Sequence, residues 1–123
     1  MDSIKIVEQV ATNGGATVKI NSGESPKTGY VVATKSKWGW IVPATNFNAE
    51  TIEQYATTNA RHLNGVRRYL GAWENQGLVY LDVVEIYKRK ANAIRHGVEK
   101  DQIAVWDIVN GCEIMTGGTG QVE

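Results

Sequence analysis

The sequence is poor in the features that cross-link a chain or anchor it in a membrane. It has a single Cys and two Pro, and no apolar run approaches the ~20 residues that span a bilayer. Because Cys112 stands alone, an internal disulfide and every multi-cysteine zinc motif are excluded. The N-terminus also lacks the charged start and apolar stretch of a signal peptide. We therefore expect a soluble, cytoplasmic protein without membrane contact.

Net charge is also lacking, because 13 Lys and Arg balance 13 Asp and Glu. General affinity for nucleic acid comes from basic side chains that neutralise phosphates. The balance therefore argues against a general nucleic-acid binder.

The chain of 123 residues has the length of one domain with one core. Few large apolar side chains occur at its start, and glycines dominate its end. We expect a poorly packed N-terminal strand and loop over residues 1–29, a single α+β domain over 30–115, and a flexible tail over 116–123.

Apolar periodicity within the chain predicts alternating pairs of strands and single helices. Ile4, Ile6, Val7 and Val10 suit a short strand or one amphipathic turn. Hairpins are predicted over 30–34 with 38–42, over 66–73 with 78–86 around a four-residue loop, and over 102–109 with 112–115. Helices are predicted after an Asn48 N-cap and over 87–98. This order predicts an α+β fold, with a mainly antiparallel sheet of about five to seven strands and two helices packed on it.

Four Trp residues are a heavy aromatic load for a chain of this size. Trp38 and Trp40 lie two residues apart on a predicted strand and therefore share a face. That face is either part of the core or, if open, a binding hot spot for a protein partner. We expect Trp73 and Trp106 to be core residues.

Basic residues concentrate around the second predicted helix. Lys88, Arg89, Lys90 and Arg95 lie there, followed by His96 and Lys100. A helix with this composition presents a positive surface, which is either an ordinary solvated exterior or a contact for an anionic partner. We take Lys88, Arg89, Lys90, Arg95, Trp38 and Trp40 as the candidate partner-binding residues.

The two histidines are the candidates for acid–base chemistry, because only His titrates near neutrality without help. His62 follows Arg61 and His96 follows Arg95 at the predicted helix ends, where a cation also complements the helix dipole. If they converge, His62, His96, Arg61 and Arg95 form the catalytic set of a small metal-free nuclease or transferase acting on a phosphate-containing substrate, with Arg67 and Arg68 as further cations. No metal-ligand spacing accompanies them, and we expect neither metal nor cofactor.

Two strand carboxylates, Asp82 and Asp107, each follow an apolar run. We expect them to approach the same sheet edge as paired acids. A buried carboxylate is costly, so each should have a polar or solvent partner.

Four segments carry a resemblance to known proteins. They are YLGAW at 69–73, VYLDV at 79–83, QIAVWD at 102–107, and Glu113-Ile114 ahead of Thr116-Gly117-Gly118. Together with Thr28-Gly29-Tyr30-Val31-Val32 and Val42-Pro43, they resemble a set of small, largely uncharacterised phage and mobile-element proteins, from which the basic segment YKRK at 87–90 departs. The resemblance implies a phage or prophage origin and assigns no catalytic residue.

By analogy, the resemblance implies a non-enzymatic accessory protein that binds and inhibits a host macromolecule, such as an inhibitor of the anti-CRISPR type. The expected partner is then a host protein or ribonucleoprotein complex. A virion or assembly component that self-associates, for example as a homodimer, is the other alternative beside the enzyme.

Overall fold

The computed structural model describes residues 1–119 of the chain. In this range the helices are α1 (Ser3–Asn13), α2 (Ala49–Thr58), α3 (Ala60–Leu63) and α4 (Lys90–Glu99). The strands are β1 (Gly15–Val18), β2 (Tyr30–Ala33), β3 (Trp40–Pro43), β4 (Arg68–Asn75), β5 (Leu78–Tyr87), β6 (Ala104–Asp107) and β7 (Cys112–Met115). Short 3-10 helices cover Ser36–Trp38 and Ala44–Asn46.

The seven strands form one antiparallel sheet in the order β1-β4-β5-β2-β6-β7, with β3 paired to β5. The predicted α+β class with a mainly antiparallel sheet is confirmed. β5 is the central strand, and its ten residues pair with β4 on one side and with both β2 and β3 on the other.

The first predicted hairpin is wrong. β2 and β3 do not pair with each other but follow one another along the same edge of β5. The Thr34 hydroxyl donates to the Val83 carbonyl at 2.7 Å, and the 3-10 helix Ser36–Trp38 then bulges before pairing resumes at Trp40. Because β5 is long enough to form the strand hydrogen bonds of both β2 and β3, these two segments do not have to pair with each other in a hairpin.

The other two hairpins are confirmed. β4 extends to Asn75, so its turn to β5 consists of Gln76 and Gly77 rather than four residues. Both turn residues have positive φ, 51° and 79°, which is typical of a type I′ turn and matches the twist of the strands. Gly111, with φ 62°, lies in the β6–β7 connection.

The N-terminal segment packs more fully than predicted. Instead of a short strand or single turn it forms an eleven-residue helix, capped by the Asp2 carboxylate at the Lys5 amide and ended by Gly14 with φ 83°. Ile6, Val10 and, from β1, Val18 are 2–3% exposed in the main core. The poorly packed description of residues 1–29 is therefore wrong for this first part.

The predicted central helix begins as expected, because Asn48 accepts a hydrogen bond from the Thr51 amide at 3.0 Å. It is divided at Asn59 into α2 and α3. The second predicted helix starts three residues late, since Tyr87 still belongs to β5 and α4 begins at Lys90.

The core consists of two clusters on the same face of the sheet. The main cluster joins α1, α2 and α3 to the middle of β4 and β5, with Ile52, Tyr55, Leu70 and Leu81 at its centre. The second cluster joins α4 to β2, β5 and β6 through Val32, Tyr87, Ala93 and Val105. All four helices therefore cover one face, and the opposite face is left open.

The predicted tail lies partly outside the described residues, which end at Thr119. Within them, the Thr116 amide donates to the Ile103 carbonyl at 2.9 Å and the Gly118 amide to Gln102 at 3.0 Å. The chain through Gly118 is thus hydrogen-bonded to the segment after α4.

Candidate functional site

The uncovered side of the sheet, here called the open face, is strongly apolar. Residues that oppose each other in register share a face, and alternation along each strand then assigns the rest. The large side chains that this places on the open face are Val31, Ile41, Tyr69, Trp73, Leu78, Tyr80, Val84, Ile86, Trp106 and Met115. Five of them are substantially exposed: Ile41 62%, Trp73 45%, Leu78 36%, Trp106 43% and Met115 67%.

The expectation that Trp73 and Trp106 are core residues is therefore wrong. Both lie on the face that carries no helix. Trp73 stacks on Tyr80 of the neighbouring strand, with ring centroids 4.5 Å apart and an interplanar angle of 16°. Together with Ile41, which opposes Tyr80, they form an apolar ridge across three strands.

Two residues beyond Tyr80 on β5, the open face carries the carboxylate of Asp82 instead of an apolar side chain. Asp82 opposes Gly71 of β4, and Gly39 approaches it from the other side. A Cβ added at Gly39 would lie 2.7 Å from the Asp82 Oδ1, and one at Gly71 would lie 2.9 Å from the Val84 Cγ1. The Gly39 backbone thus packs directly against the Asp82 carboxylate, and the Val84 side chain takes the space that a side chain at position 71 would need.

Asp82 has an unusual electrostatic environment. Burial raises its pKa to about 6, although a hydrogen bond from the Trp73 side chain acts in the opposite direction. Among residues 1–119 no Lys or Arg forms a salt bridge with it. It is thus a half-buried carboxylate without a cationic partner, surrounded by the apolar side chains of the open face.

Asp82 and Asp107 do not form the expected acid pair. Asp82 lies on the open face, whereas the register places Asp107 on the helix-covered face. Asp107 accepts hydrogen bonds from the Asn110 amide at 3.2 Å and the Asn110 side chain at 2.7 Å. It therefore stabilises the β6–β7 connection.

On the helix-covered side, His62 stacks on Trp38 with ring centroids 3.8 Å apart. Burial, together with the charges of Arg61 and Arg68 and of two nearby lysines, lowers the pKa of His62. The Arg68 guanidinium carbon also lies 5.3 Å from the centre of the Trp38 ring.

Trp40 contacts the Tyr55 ring edge-on at 5.1 Å. Both Trp38 and Trp40 are half-buried against the main core.

His96 has a similar arrangement, stacking on Tyr87 at 4.6 Å and lying 3.6 Å from the Glu99 carboxylate. The Tyr87 hydroxyl donates to Glu85 at 2.9 Å. Contacts run continuously from His96 through Tyr87, Glu85, Arg68 and Trp38 to His62. The structure thus brings both histidines into one band of side chains.

Glu85 lies at the centre of this band, and its carboxylate pairs with two basic side chains. Its carboxylate forms salt bridges with Arg68 at 3.1 Å and Lys100 at 3.2 Å. Burial acts to raise its pKa, but hydrogen bonds from Tyr87, Lys100 and Arg68 leave that pKa below its usual value. Arg61 and Arg95, the other cations of the predicted catalytic set, are exposed.

The predicted basic contact surface is also exposed. Lys88 and Arg89 precede α4, and Lys90 and Arg95 lie on it. Arg89 is the N-cap residue and makes no side-chain cap hydrogen bond, and the first turn contains no acidic residue. Lys88, Arg89 and Lys90 therefore lie at the helix end where the dipole favours negative charge, whereas Arg95 lies in the middle of the helix.

In the described part of the chain, no three His, Cys, Asp or Glu side chains are grouped to hold a metal ion, and no helix is long and apolar enough to cross a bilayer. Comparison with known proteins gives no match to a family, to a curated protein or to a solved structure.

Proposed function

We propose that the chain is a non-enzymatic accessory protein that binds a protein partner through the open face. In the form implied by the resemblance to phage proteins, the partner is a host protein or a protein of a ribonucleoprotein complex, and binding inhibits it, as an anti-CRISPR inhibitor does. The observation that carries the proposal is a sheet with every helix on one side and exposed Trp, Ile, Leu and Met side chains on the other.

The size of this face supports the proposal. Six strand positions about 4.8 Å apart, with a mean strand length of roughly 20 Å, give a projected area of about 600 Å². A standard protein interface buries about 800 Å² on each partner. A face of this extent that exposes Trp, Ile, Leu and Met side chains is typical of an interaction site.

The composition of the face favours protein over nucleic acid. Its charged strand positions are Asp82 and Glu113, both acidic. Phosphates are repelled by such a surface, whereas exposed Trp side chains are typical of protein hot spots.

Phosphate-directed catalysis has weaker support. The band on the covered side does join His62 to His96, but the Glu85 carboxylate already takes the Arg68 and Lys100 charges. A substrate phosphate would have to compete with this internal carboxylate for both cations.

The proposal is tested by affinity capture from a host lysate with four forms of the chain. Ile41→Lys with Met115→Lys places charges at two exposed positions of the open face. Ile4→Lys makes the same kind of change on α1, where Ile4 is 65% exposed. The fourth form carries His62→Ala and His96→Ala.

We expect wild type, Ile4→Lys and the histidine variant to capture the same protein, and the open-face variant to lose it at least tenfold. Equal capture by the open-face variant contradicts the proposal. Loss in the histidine variant alone favours the enzyme. A wild-type dimer in solution that the open-face changes dissociate assigns the face to self-association instead.

A further inference from the structure

Basic side chains gather around the Trp38 ring on the helix-covered side of the sheet. We call Lys35, Lys37, Arg61 and His62, together with this ring, the Trp38 cluster. We propose that the Trp38 cluster binds a phosphate group, either as free phosphate or as the terminal group of a phosphate monoester. The site is separate from the open face and from the function proposed above.

Three segments of the chain bring basic groups to this one ring. His62 of α3 stacks on Trp38 with ring centroids 3.8 Å apart. The Lys35 Nζ, from the segment that precedes the 3-10 helix, lies 5.3 Å from the ring centre. The guanidinium carbon of Arg68, at the start of β4, lies at the same distance. Side chains that are distant in sequence therefore converge on a single point of the surface.

Contacts with the core fix the backbone of the Trp38 cluster. The hydroxyl of Tyr55, a residue that is fully buried in the main core, donates to the Trp38 carbonyl at 2.7 Å. The Arg68 guanidinium donates to the His62 carbonyl at 3.3 Å. Both segments that present the cations are thus held in place, and a ligand has to order only the long basic side chains.

The positive charge of the Trp38 cluster is not neutralised within the part of the chain that the structure describes. No Asp or Glu of residues 1–119 forms a salt bridge with Lys35, Lys37 or Arg61. Burial lowers the pKa of His62, and the charges of Arg61, Arg68 and the two lysines lower it further. In a chain with a net charge of zero, such a local excess of one sign attracts a multivalent ion of the other sign.

The geometry favours one compact anion over a nucleic-acid strand. A strand requires a basic track along its phosphates and open aromatic rings for its bases. In the Trp38 cluster the cations meet at one ring instead, and His62 already covers a face of that ring. A phosphate group has the charge and the acceptor oxygens to accept hydrogen bonds from Lys, Arg and His side chains together.

We expect the Trp38 cluster to bind phosphate without cleaving an ester. His96, the second candidate for acid–base chemistry, lies at the other end of the band, with four side chains between the two imidazoles. Arg68 is already paired with Glu85. A phosphate beside His62 is therefore far from the second imidazole that the predicted catalytic set requires.

The test follows the ring signals of His62 by NMR during pH titrations in phosphate and in sodium chloride of matched ionic strength. Ionic strength is matched because salt alone screens the neighbouring charges. Wild type is compared with Lys35→Gln, Arg61→Gln and with Lys88→Gln, Arg89→Gln. The second double variant is the matched control, since it removes the same charge from exposed positions before α4.

A bound phosphate dianion favours the protonated imidazole, and by linkage the protonated imidazole favours the dianion. In wild type and the control variant, we expect phosphate to raise the His62 titration midpoint by about half a pH unit or more over chloride. The His96 signals should not respond to phosphate. In Lys35→Gln, Arg61→Gln the rise should disappear, and phosphate affinity at pH 6 should fall about tenfold.

A second series distinguishes the sources of the phosphate group. A nucleoside 5′-monophosphate, the parent nucleoside and succinate, a dicarboxylate of similar charge, are titrated by the same His62 signals. Tighter binding of the monophosphate than of inorganic phosphate identifies a phosphate ester as the ligand, and equal binding identifies free phosphate. The nucleoside should have no effect.

An unchanged His62 midpoint in phosphate overturns the inference, as does an equal rise with succinate or an equal rise in both double variants. A response of His96 as large as that of His62 marks a general ion effect and also overturns it. None of these outcomes bears on the open face, because the variants leave its strand positions unchanged.

Discussion

Asp82 makes the folded state less stable than a neutral residue would. Its carboxyl binds a proton with a pKa of about 6 in the native protein, against an ordinary value of 3.8. Between these two values the native state holds a proton that the unfolded state has lost, so stability falls as the pH rises through this window. Above pH 6 the whole penalty remains, because the native state must then carry a desolvated charge.

The first prediction is that Asp82→Asn stabilises the protein at pH 8, by about 2–3 kcal/mol if the shift is fully expressed. At pH 3.5 the two proteins should be nearly equally stable, since both side chains are then neutral. The free energy of unfolding in urea at several pH values measures this difference.

Glu113→Gln provides the control on the same face. Glu113 is exposed, so its neutralisation should change stability by no more than about 0.5 kcal/mol at either pH. A lower stability of Asp82→Asn at pH 8 would show that the carboxylate contributes more to the fold through Trp73 than it costs by burial.

At this scale the sequence predicted residue types better than residue environments. His62 and His96 were identified from their chemistry, and the structure places each on an aromatic ring. Trp73, Trp106 and Asp82 were misplaced because alternation assigns residues to two faces but does not tell which face the helices cover. β5 is apolar at positions on both of its faces. An antiparallel sheet with one solvated face does not require this, so the pattern was the available signal that the uncovered face is apolar.

Among the elements, α4 depends on a glycine for its close approach to the sheet. Gly97 is buried, and a Cβ at this position would lie 2.9 Å from the Val105 Cγ1 and 3.2 Å from the Thr116 Cγ2. The helix continues through Gly97 to Glu99. Packing against β6 thus outweighs the low helix propensity of glycine.

The second prediction concerns Gly97→Ala. Helix propensity favours Ala by about 0.8–1.0 kcal/mol, but overpacking costs typically about 1–3 kcal/mol. We expect net destabilisation of about 1 kcal/mol in urea unfolding, since Val105 is β-branched and buried.

Removing the Val105 methyl groups, which make the closer of the two contacts, reverses this balance. In a Val105→Ala background the same Gly97→Ala change should be neutral or stabilising, because the Cγ1 atom is gone. Stabilisation of the wild-type background by Gly97→Ala would contradict the close contact.

The positions of most elements followed from the sequence, as did the partners in two of the three predicted hairpins. Asn48 and the Asn110-Gly111 turn are local signals, and the structure contains the predicted helix start and hairpin there. The pairing of β2 and β3 depends on β5, some fifty residues away, and local pattern favoured a hairpin instead. The α1 helix was missed although Asp2 and Gly14 supply both of its caps.

Across the whole molecule, the two core clusters differ in size. Twelve buried residues form the main cluster, and four form the one beneath α4. β5 takes part in both, and Glu85 lies between them with its ion pairs to Arg68 and Lys100. Regions with little buried apolar area open first in native proteins. The α4, β6 and β7 region should therefore open before the rest of the sheet.

The last prediction is that native-state hydrogen exchange separates these two regions. Amides of β4 and β5 near Leu70 and Leu81 should exchange at least roughly tenfold more slowly than those of β6 and β7. Val105→Ala should speed exchange in α4, β6 and β7 alone, whereas Leu81→Ala should speed it everywhere. A single opening free energy across the sheet, or an effect of Val105→Ala that reaches β4, would contradict the division. Because Trp106 lies on β6, the smaller region also forms one end of the open face, and a protein bound there, as proposed above, should slow its exchange.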